Sequence, residues 1–327
     1  MEALLRVSGL RVGFGAEEPR SLATRDVGFE LASGERLGIV GESGSGKSTT
    51  ALAIVGLLPR NATVEQGSVI YNGQELVGLA ERQLRAYRGR EIAMVFQNAS
   101  TALNPLIRVG DQIADVVASQ QRVPRRRARD HAVELLTEMG IVDAIRNARS
   151  YPHEYSGGMA QRALIAMALA CHPRVLLVDE PTTGLDPIVQ AQVLDKIVER
   201  VVEQEMSLIV ISHDMNVILR TCTHVIVLYA GQVMEAGPCQ EILRNPQHPY
   251  TRALLDTEEP GEGGKFSFIP GRVPTLTREF AGCAFYDRCQ LRASLGNPMI
   301  CVTSRPPETA HGEESRVTCH FLSATDL

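Results

Sequence analysis

No stretch of this 327-residue chain approaches the roughly 18 consecutive apolar residues expected of a membrane span, so the sequence gives no sign of a transmembrane helix. The opening Met1-Glu2-Ala3-Leu4-Leu5-Arg6 lacks the layout of a secretion signal, and a cytoplasmic location is expected. There is no surplus of positive charge. Against 33 Lys and Arg stand 38 Asp and Glu, a formal net charge of −5, which argues against a general nucleic-acid binder while leaving a local basic patch open. Trp is absent and aromatics make up only 5%, which decides nothing about function. The seven Cys include no compact C-x2-C pair, and without a secretion signal they point to free thiols or a metal site rather than disulfides. The rest is ordinary: 44% hydrophobic and 22% charged residues suit a globular chain with a full core and room for an appended region.

The chain is organised around residues 37–50. An apolar run at 37–40 reads as a buried strand, and 51–58 continues with helical apolar spacing. Between them Gly41, Glu42, Ser43, Gly44, Ser45, Gly46, Lys47 and Ser48 fit the pattern G-x-x-x-x-G-K-[ST]. Glycines let successive backbone N–H groups converge on phosphate oxygens, and the helix start adds its partial positive charge. Lys47 is then placed to reach the β- and γ-phosphates, Ser48 to coordinate Mg²⁺, and Thr49 to bond phosphate.

Taken in order, residues 4–35 alternate apolar and polar and predict antiparallel strands. Phe14 is either a core aromatic or a platform for a base; a strand Phe usually faces inward. Residues 92–96 form a second buried strand ending at Gln97, a polar amide suited to a site at the carboxyl edge of a sheet, though alone it would read as a loop residue. Residues 106–150 show helical spacing and carry the run Arg125-Arg126-Arg127-Ala128-Arg129, which reads more readily as a solvated helix face than as a binding patch.

Tyr155-Ser156-Gly157-Gly158-Met159-Ala160-Gln161-Arg162 opens a long helix, and Ser-Gly-Gly before a helix offers N–H groups to an anion, a weak signal by itself. Residues 174–178 are an apolar strand ending in Asp179 and Glu180. Two adjacent carboxylates there would be costly to desolvate without a cation or water, so Asp179 suits Mg²⁺ and Glu180 an attacking water. Leu185-Asp186-Pro187 leads into another helix, and the strand at 207–212 ends at His213, placed to meet a γ-phosphate.

From Pro246 the composition shifts, with a flexible linker at 258–264. Cys283, Cys289, Cys301 and Cys319 follow, with 5, 11 and 17 residues between successive members. A zinc site, an iron–sulfur site and unligated thiols all remain open from this spacing.

The ordered set of Gly41 to Thr49, Gln97, Ser156-Gly157-Gly158, Asp179-Glu180, Asp186 and His213 resembles the ATP-binding subunit of ABC transporters across residues 4–245. In that family these are the Walker A loop, Q-loop, signature, Walker B, D-loop and switch histidine. The resemblance implies an α/β P-loop ATPase at 1–245 with a mixed-sheet core, an N-terminal antiparallel β subdomain and a helical subdomain inserted at about 98–160. It implies ATP and Mg²⁺, with Lys47, Gln97, Glu180 and His213 catalytic, and with Phe14 stacking on adenine rather than filling the core. Ser156, Gly157 and Gly158 would face a partner's ATP.

The flanks resemble the oligopeptide/dipeptide importer group: Tyr151-Pro152-His153-Glu154, Met159, Asn245-Pro246-Gln247-His248-Pro249-Tyr250-Thr251, Ile269-Pro270-Gly271 and Gly282-Cys283 through Cys289. Met159 and residues 165–170 look like the first of its two paired ATPase subunits. That implies a C-terminal extension at 246–327, with a [4Fe–4S] cluster on Cys283, Cys289, Cys301 and Cys319. It also implies a second ATPase subunit as heterodimer partner, two transmembrane permease subunits, an extracytoplasmic solute-binding protein, no nucleic acid, and a peripheral place on the cytoplasmic face of the inner membrane.

The family signature commonly reads Leu-Ser-Gly-Gly-Gln, whereas this chain has Tyr155 and Met159, and Ala160 where the peptide group often has Arg. This departure implies two unequal ATP sites. Alternatives are an importer ATPase for nickel, glutathione or sugar, or a soluble ABC ATPase of DNA repair or translation. A single Walker A motif and the lack of sustained heptads weigh against the soluble kind. A nucleotide sensor without turnover is disfavoured by intact Glu180 and His213.

Overall fold

A computed structural model describes residues 3–15, 21–97, 102–258, 267–277, 280–312 and 314–321. Most of the expected linker at 258–264 lies outside the described residues. The chain divides into two compact units, one of residues 1–32, 36–78 and 211–327, the other of 33–35 and 79–210.

In the first unit, β1 (Leu5–Phe14), β2 (Ser21–Leu31), β4 (Ala62–Tyr71) and β5 (Gln74–Glu75) form an antiparallel sheet in the order β2-β1-β4-β5. Leu5 and Val7, then Leu10 and Val12, of β1 are buried in two period-two stretches whose phase slips by one residue where the pairing register with β2 shifts between Val7 and Leu10. The same unit holds β3 (Arg36–Val40), β9 (His224–Tyr229) and β10 (Gln232–Pro238). β3 runs parallel to β9, pairing Leu37 with His224 and Val40 with Val227, and four of its five residues are buried. A strand covered on both faces reads as a continuous apolar run. Gly38 is demanded by packing: a Cβ there would lie 2.3 Å from Ile218 Cγ2 of the helix Met215–Thr221.

The hairpin from β9 to β10 turns at Ala230 (φ 45°) and Gly231 (φ 75°), two successive left-handed residues of the kind a two-residue hairpin favours. Beyond β10 the C-terminal region joins the sheet. β12 (Ser315–Thr318) pairs with β10 through Glu235–Val317 and Ala236–Arg316, and β11 (Glu308–His311) pairs with β12. The turn before the helix Pro249–Glu258 is anchored by Glu235, whose carboxylate accepts the Gln247 N–H at 2.7 Å and the His248 N–H at 3.0 Å. His248 is fully buried; burial, then the Arg252 charge, pushes its imidazole down to about 3. It is therefore neutral at ordinary pH, and its Nδ1 accepts the Tyr250 N–H at 3.0 Å.

In the second unit, β6 (Ile92–Val95) runs parallel to β7 (Val175–Asp179), with Val95 opposite Val178; β8 (Ser207–Ser212), whose first four residues belong to this unit, is the neighbour of β7. Every residue of β7 is buried. The helices Val109–Gln121 and Arg125–Glu138 pack through Ile113, Ala114, Val117, Ala128, Ala132, Leu135 and Leu136, the spacing read from the sequence. The arginine run is solvated, with Arg125 pairing with Asp115 at 3.0 Å and Arg129 with Asp111 at 2.8 Å.

Candidate functional site

The first unit supplies the phosphate loop. It follows β3 and leads into the helix Lys47–Ile54, with Gly46 as the left-handed residue (φ 99°) before the first turn. A Cβ on Gly41 would lie 2.0 Å from the Leu228 carbonyl oxygen, and one on Gly46 2.3 Å from the Ala23 carbonyl oxygen. Both neighbours are backbone and cannot turn away. The Gly231 N–H donates to Ser45 O at 2.8 Å, so the β9–β10 turn also fixes the loop. The Lys47 ammonium, on a residue only 6% exposed, donates to the carbonyls of Gly41 at 2.7 Å and Glu42 at 3.0 Å. Ser43 and Gly44 are exposed, and Ser48 and Thr49 lie half-buried at the helix start. The loop is thus preformed on its inner side and open on its outer side. Phe14, half-buried, ends β1 opposite Ser21 and Ala62, and His213 is exposed directly after β8.

The second unit brings the carboxylates and Gln97 to one sheet edge. Because β6 and β7 are parallel and in register, Gln97, Asp179 and Glu180 emerge from the same end of the pair. Asp179 is 5% exposed. Glu180 is left-handed (φ 51°), an unfavourable conformation for a residue with a Cβ, and its Oε2 accepts the Thr183 hydroxyl at 3.1 Å. This backbone kink turns the second carboxylate away from the path of the strand.

Ser156 caps the helix Gly157–Leu169, its hydroxyl accepting the Met159 N–H at 3.3 Å. Asp186 caps the helix Pro187–Glu203, accepting from the Ile188 and Val189 N–H groups at 3.1 Å each. The two helix starts meet at Gly158, where a Cβ would lie 2.7 Å from Val189 Cγ1. They border one groove of about 360 Å³ that also takes in Met159, Arg162 and Leu185. The Met159 side chain has no hydrogen-bonding group to set there in place of Gln, while its N–H serves the cap. At these helix starts Ser156, Gly157 and Asp186 are exposed and Gly158 is half-buried.

Cys283, Cys289, Cys301 and Cys319 line a single enclosed pocket of about 20 Å³, with no carboxylate among its lining residues. Burial, then the neighbouring Cys319, Cys289 and Cys301 thiols, pushes the Cys283 thiol up to about 12 despite a backbone hydrogen bond at Phe285. The other three are raised as well, first by burial. As placed, no group of three or more His, Cys, Asp or Glu among the described residues is arranged to hold a metal ion. The expected convergence of four thiols is present; the ligating geometry of the expected [4Fe–4S] centre is not.

The sequence reading missed Arg288 and Gly231, which hold the phosphate loop from outside its own motif, and Tyr229, whose hydroxyl accepts from Arg288. Their signal is weak because nothing in their local pattern refers to residues 41–48.

The ABC transporter family matches residues 24–183, and the oligopeptide/dipeptide transporter C-terminal region matches residues 234–294. A probable peptide ABC transporter ATP-binding protein of Sinorhizobium fredii is 46% identical over 292 residues, covering 88% of this chain and 87% of that one. The chain belongs to the ABC transporter ATP-binding proteins. The oligopeptide transport ATP-binding protein OppD of Salmonella typhimurium is 43% identical to this ABC protein, covering 88% of this chain and 86% of that one. Among solved structures, a dimeric ATP-binding cassette in a post-hydrolysis state bound to ADP and Pi superposes with a TM-score of 0.66 at 27% identity, covering 72% of this chain and 98% of that one. The ABC cassette fold expected from the sequence, a mixed sheet with an antiparallel β sheet and a helical insert, is the fold observed. This ABC ATPase has no helix long and apolar enough to cross a membrane among its described residues.

Proposed function

We propose that the chain is the ATP-hydrolysing subunit of a binding-protein-dependent ABC importer for oligopeptides or dipeptides, peripheral on the cytoplasmic face of the membrane. The observation that carries this is the C-terminal region match at 234–294 beside the cassette, joined to near-full-length similarity to peptide transport proteins. Two transmembrane permease subunits and an extracytoplasmic binding protein complete the assembly, with the helical region at about 98–160 as the part that meets the permeases. The remainder from 246 to 327 is the extension specific to this group.

The roles follow from chemistry. Backbone N–H groups from Gly41 to Ser48 and the Lys47 ammonium cradle the β- and γ-phosphates, and Phe14 stacks on the base. Ser48 and Asp179 would hold Mg²⁺, which supplies charge neutralisation for the phosphates. Glu180 takes a proton from water as its oxygen attacks the γ-phosphorus and the bond to the β-phosphate breaks; Gln97 and His213 position the water and γ-phosphate. In a closed dimer, Ser156, Gly157 and Gly158 cover the partner's ATP, with Asp186 beside them. Because Met159 replaces the signature Gln, the partner is a different ATPase subunit. The ATP bound by this chain's own Lys47 and Glu180 is then the faster to hydrolyse.

Reconstituted in proteoliposomes with its permeases and binding protein, the complex is expected to hydrolyse ATP faster with peptide-loaded binding protein and to take up labelled peptide. Uptake of nickel, glutathione or sugar without peptide would reassign the cargo; no association with permeases would remove the importer.

The four-thiol pocket offers the donors of a [4Fe–4S] cluster: four sulfurs with no carboxylate among the lining residues, beside His320 and a His248 whose Nδ1 already accepts the Tyr250 N–H. Cys283, Cys289, Cys301 and Cys319 would hold it, and four clustered thiolates would need such a cation to offset their repulsion. Anaerobic purification is expected to yield iron and labile sulfide in the wild type, both lost in Cys289→Ser. Zinc, or no metal, in the wild type would exclude the cluster and leave the ATPase standing.

A further inference from the structure

Arg288 sits directly before Cys289, in the C-terminal extension, and its side chain is only 5% exposed. All five guanidinium donors are used. Nη1 donates to Glu42 Oε2 at 2.7 Å and the Tyr229 hydroxyl at 3.0 Å; Nη2 donates to Glu42 Oε1 and the Ile269 carbonyl, both at 3.0 Å. Nε donates to the Pro270 carbonyl at 2.7 Å. The Ile-Pro-Gly segment and the cysteine motif thus converge on one residue of the phosphate loop.

Glu42 is held from three directions. Its carboxylate receives the Arg288 fork, its N–H donates to the Tyr250 hydroxyl at 2.9 Å, and its carbonyl accepts the Lys47 ammonium at 3.0 Å. Tyr229, Tyr250 and Phe285 pack behind it with ring centroids 4.6 to 5.2 Å apart, keeping this wall dry. A carboxylate in a loop that receives polyphosphate opposes its own ligand, because the repulsion has the same distance dependence as the attraction from Lys47. A buried, bidentate guanidinium cancels that charge and fixes the carboxylate's orientation.

We infer that Arg288 is a positioning residue for nucleotide binding: it neutralises Glu42 and locks the backbone that holds Lys47, making the C-terminal extension a wall of the phosphate site. This rests on the reading of Gly41 to Ser48 as the ATP-phosphate loop.

The test is the Kd of the full-length chain for Mg·ADP by titration calorimetry. Arg288→Gln, which keeps polar contacts but leaves Glu42 charged, is expected to weaken binding about tenfold. Arg288→Lys, which keeps the neutralising charge but gives up the fork, should fall between wild type and Arg288→Gln. Adding Glu42→Gln to Arg288→Gln should recover affinity to within about threefold of wild type, a rescue that a purely structural role would not give. In the assembled complex, Arg288→Gln should raise the KM for Mg·ATP with kcat changed less than about twofold. Wild-type affinity in Arg288→Gln, or a double variant as weak as the single, overturns the inference. If Arg288→Gln does not fold, tenfold losses in both Arg288→Lys and the double variant overturn it as well. A wild-type chain that binds no Mg·ADP sinks the phosphate-loop reading itself, which a normal wild type with insensitive variants does not.

Discussion

Glu180→Gln is expected to lower steady-state phosphate release by the assembled complex at least about 100-fold while Mg·ATP still binds, the range seen when a general base is removed. Three observations converge on this residue. It directly follows β7 and its buried last residue Asp179, it is held in a left-handed conformation at φ 51°, and its carboxylate is oriented by Thr183. Gln preserves the shape and the Thr183 contact but cannot take a proton from water at neutral pH. The size of the effect also tests the proposed inequality of the two ATP sites. If this chain's own ATP is the one turned over, nearly all activity disappears. A rate near wild type would place turnover in the other site, the one covered by Ser156, Gly158 and Met159, and the assignment would be wrong.

Gly41→Ala is expected to weaken Mg·ADP binding on the order of 100-fold and to lower the thermal midpoint of the chain, because overpacking against an immovable neighbour costs about 1–3 kcal/mol or more. The new methyl would meet the Leu228 carbonyl at 2.0 Å and Ser45 Oγ at 2.9 Å. Leu228 belongs to β9, itself paired with β3 and β10, so the loop rather than the strand must give way. Gly44 is the internal comparison: it is left-handed at φ 81°, but a Cβ there meets nothing within 4 Å. Gly44→Ala should therefore show only conformational strain of about 1 kcal/mol and a clearly smaller loss of affinity. Equal affinities for wild type and Gly41→Ala, by calorimetry on the full-length chain, would show that the close approach to β9 does not shape the loop.

Much of the architecture was legible because it is encoded locally. The run from Leu37 to Val40 became β3, residues 92–95 and 175–179 became the parallel pair β6–β7, and the apolar spacing of 109–138 became two packed helices. Burial on one helix face shows in the sequence as a period, and burial on both faces of a strand as a continuous apolar run. Ser156 before Gly157 and Asp186 before Pro187 announced helix starts, since a short polar side chain at that position satisfies an otherwise unpaired N–H. β11 and β12 were not anticipated: each has only four residues, and they exist by pairing, β12 with β10 and β11 with β12, rather than by any pattern of their own.

The sequence by itself determined the identity and order of the chemical groups: a phosphate loop, two acids ending a strand, a serine–glycine helix start and four late cysteines. Each of these is a short contiguous arrangement, or a count, whose chemistry depends on neighbours along the chain. The tertiary structure alone decided what stands behind them. Arg288 reaches Glu42 across 246 positions, Tyr250 meets the same residue across 208, and four thiols separated by 5, 11 and 17 residues share one pocket. Such partners are chosen by which surfaces the fold presses together and by the cost of leaving a buried charge alone, and neither leaves a periodic trace in sequence.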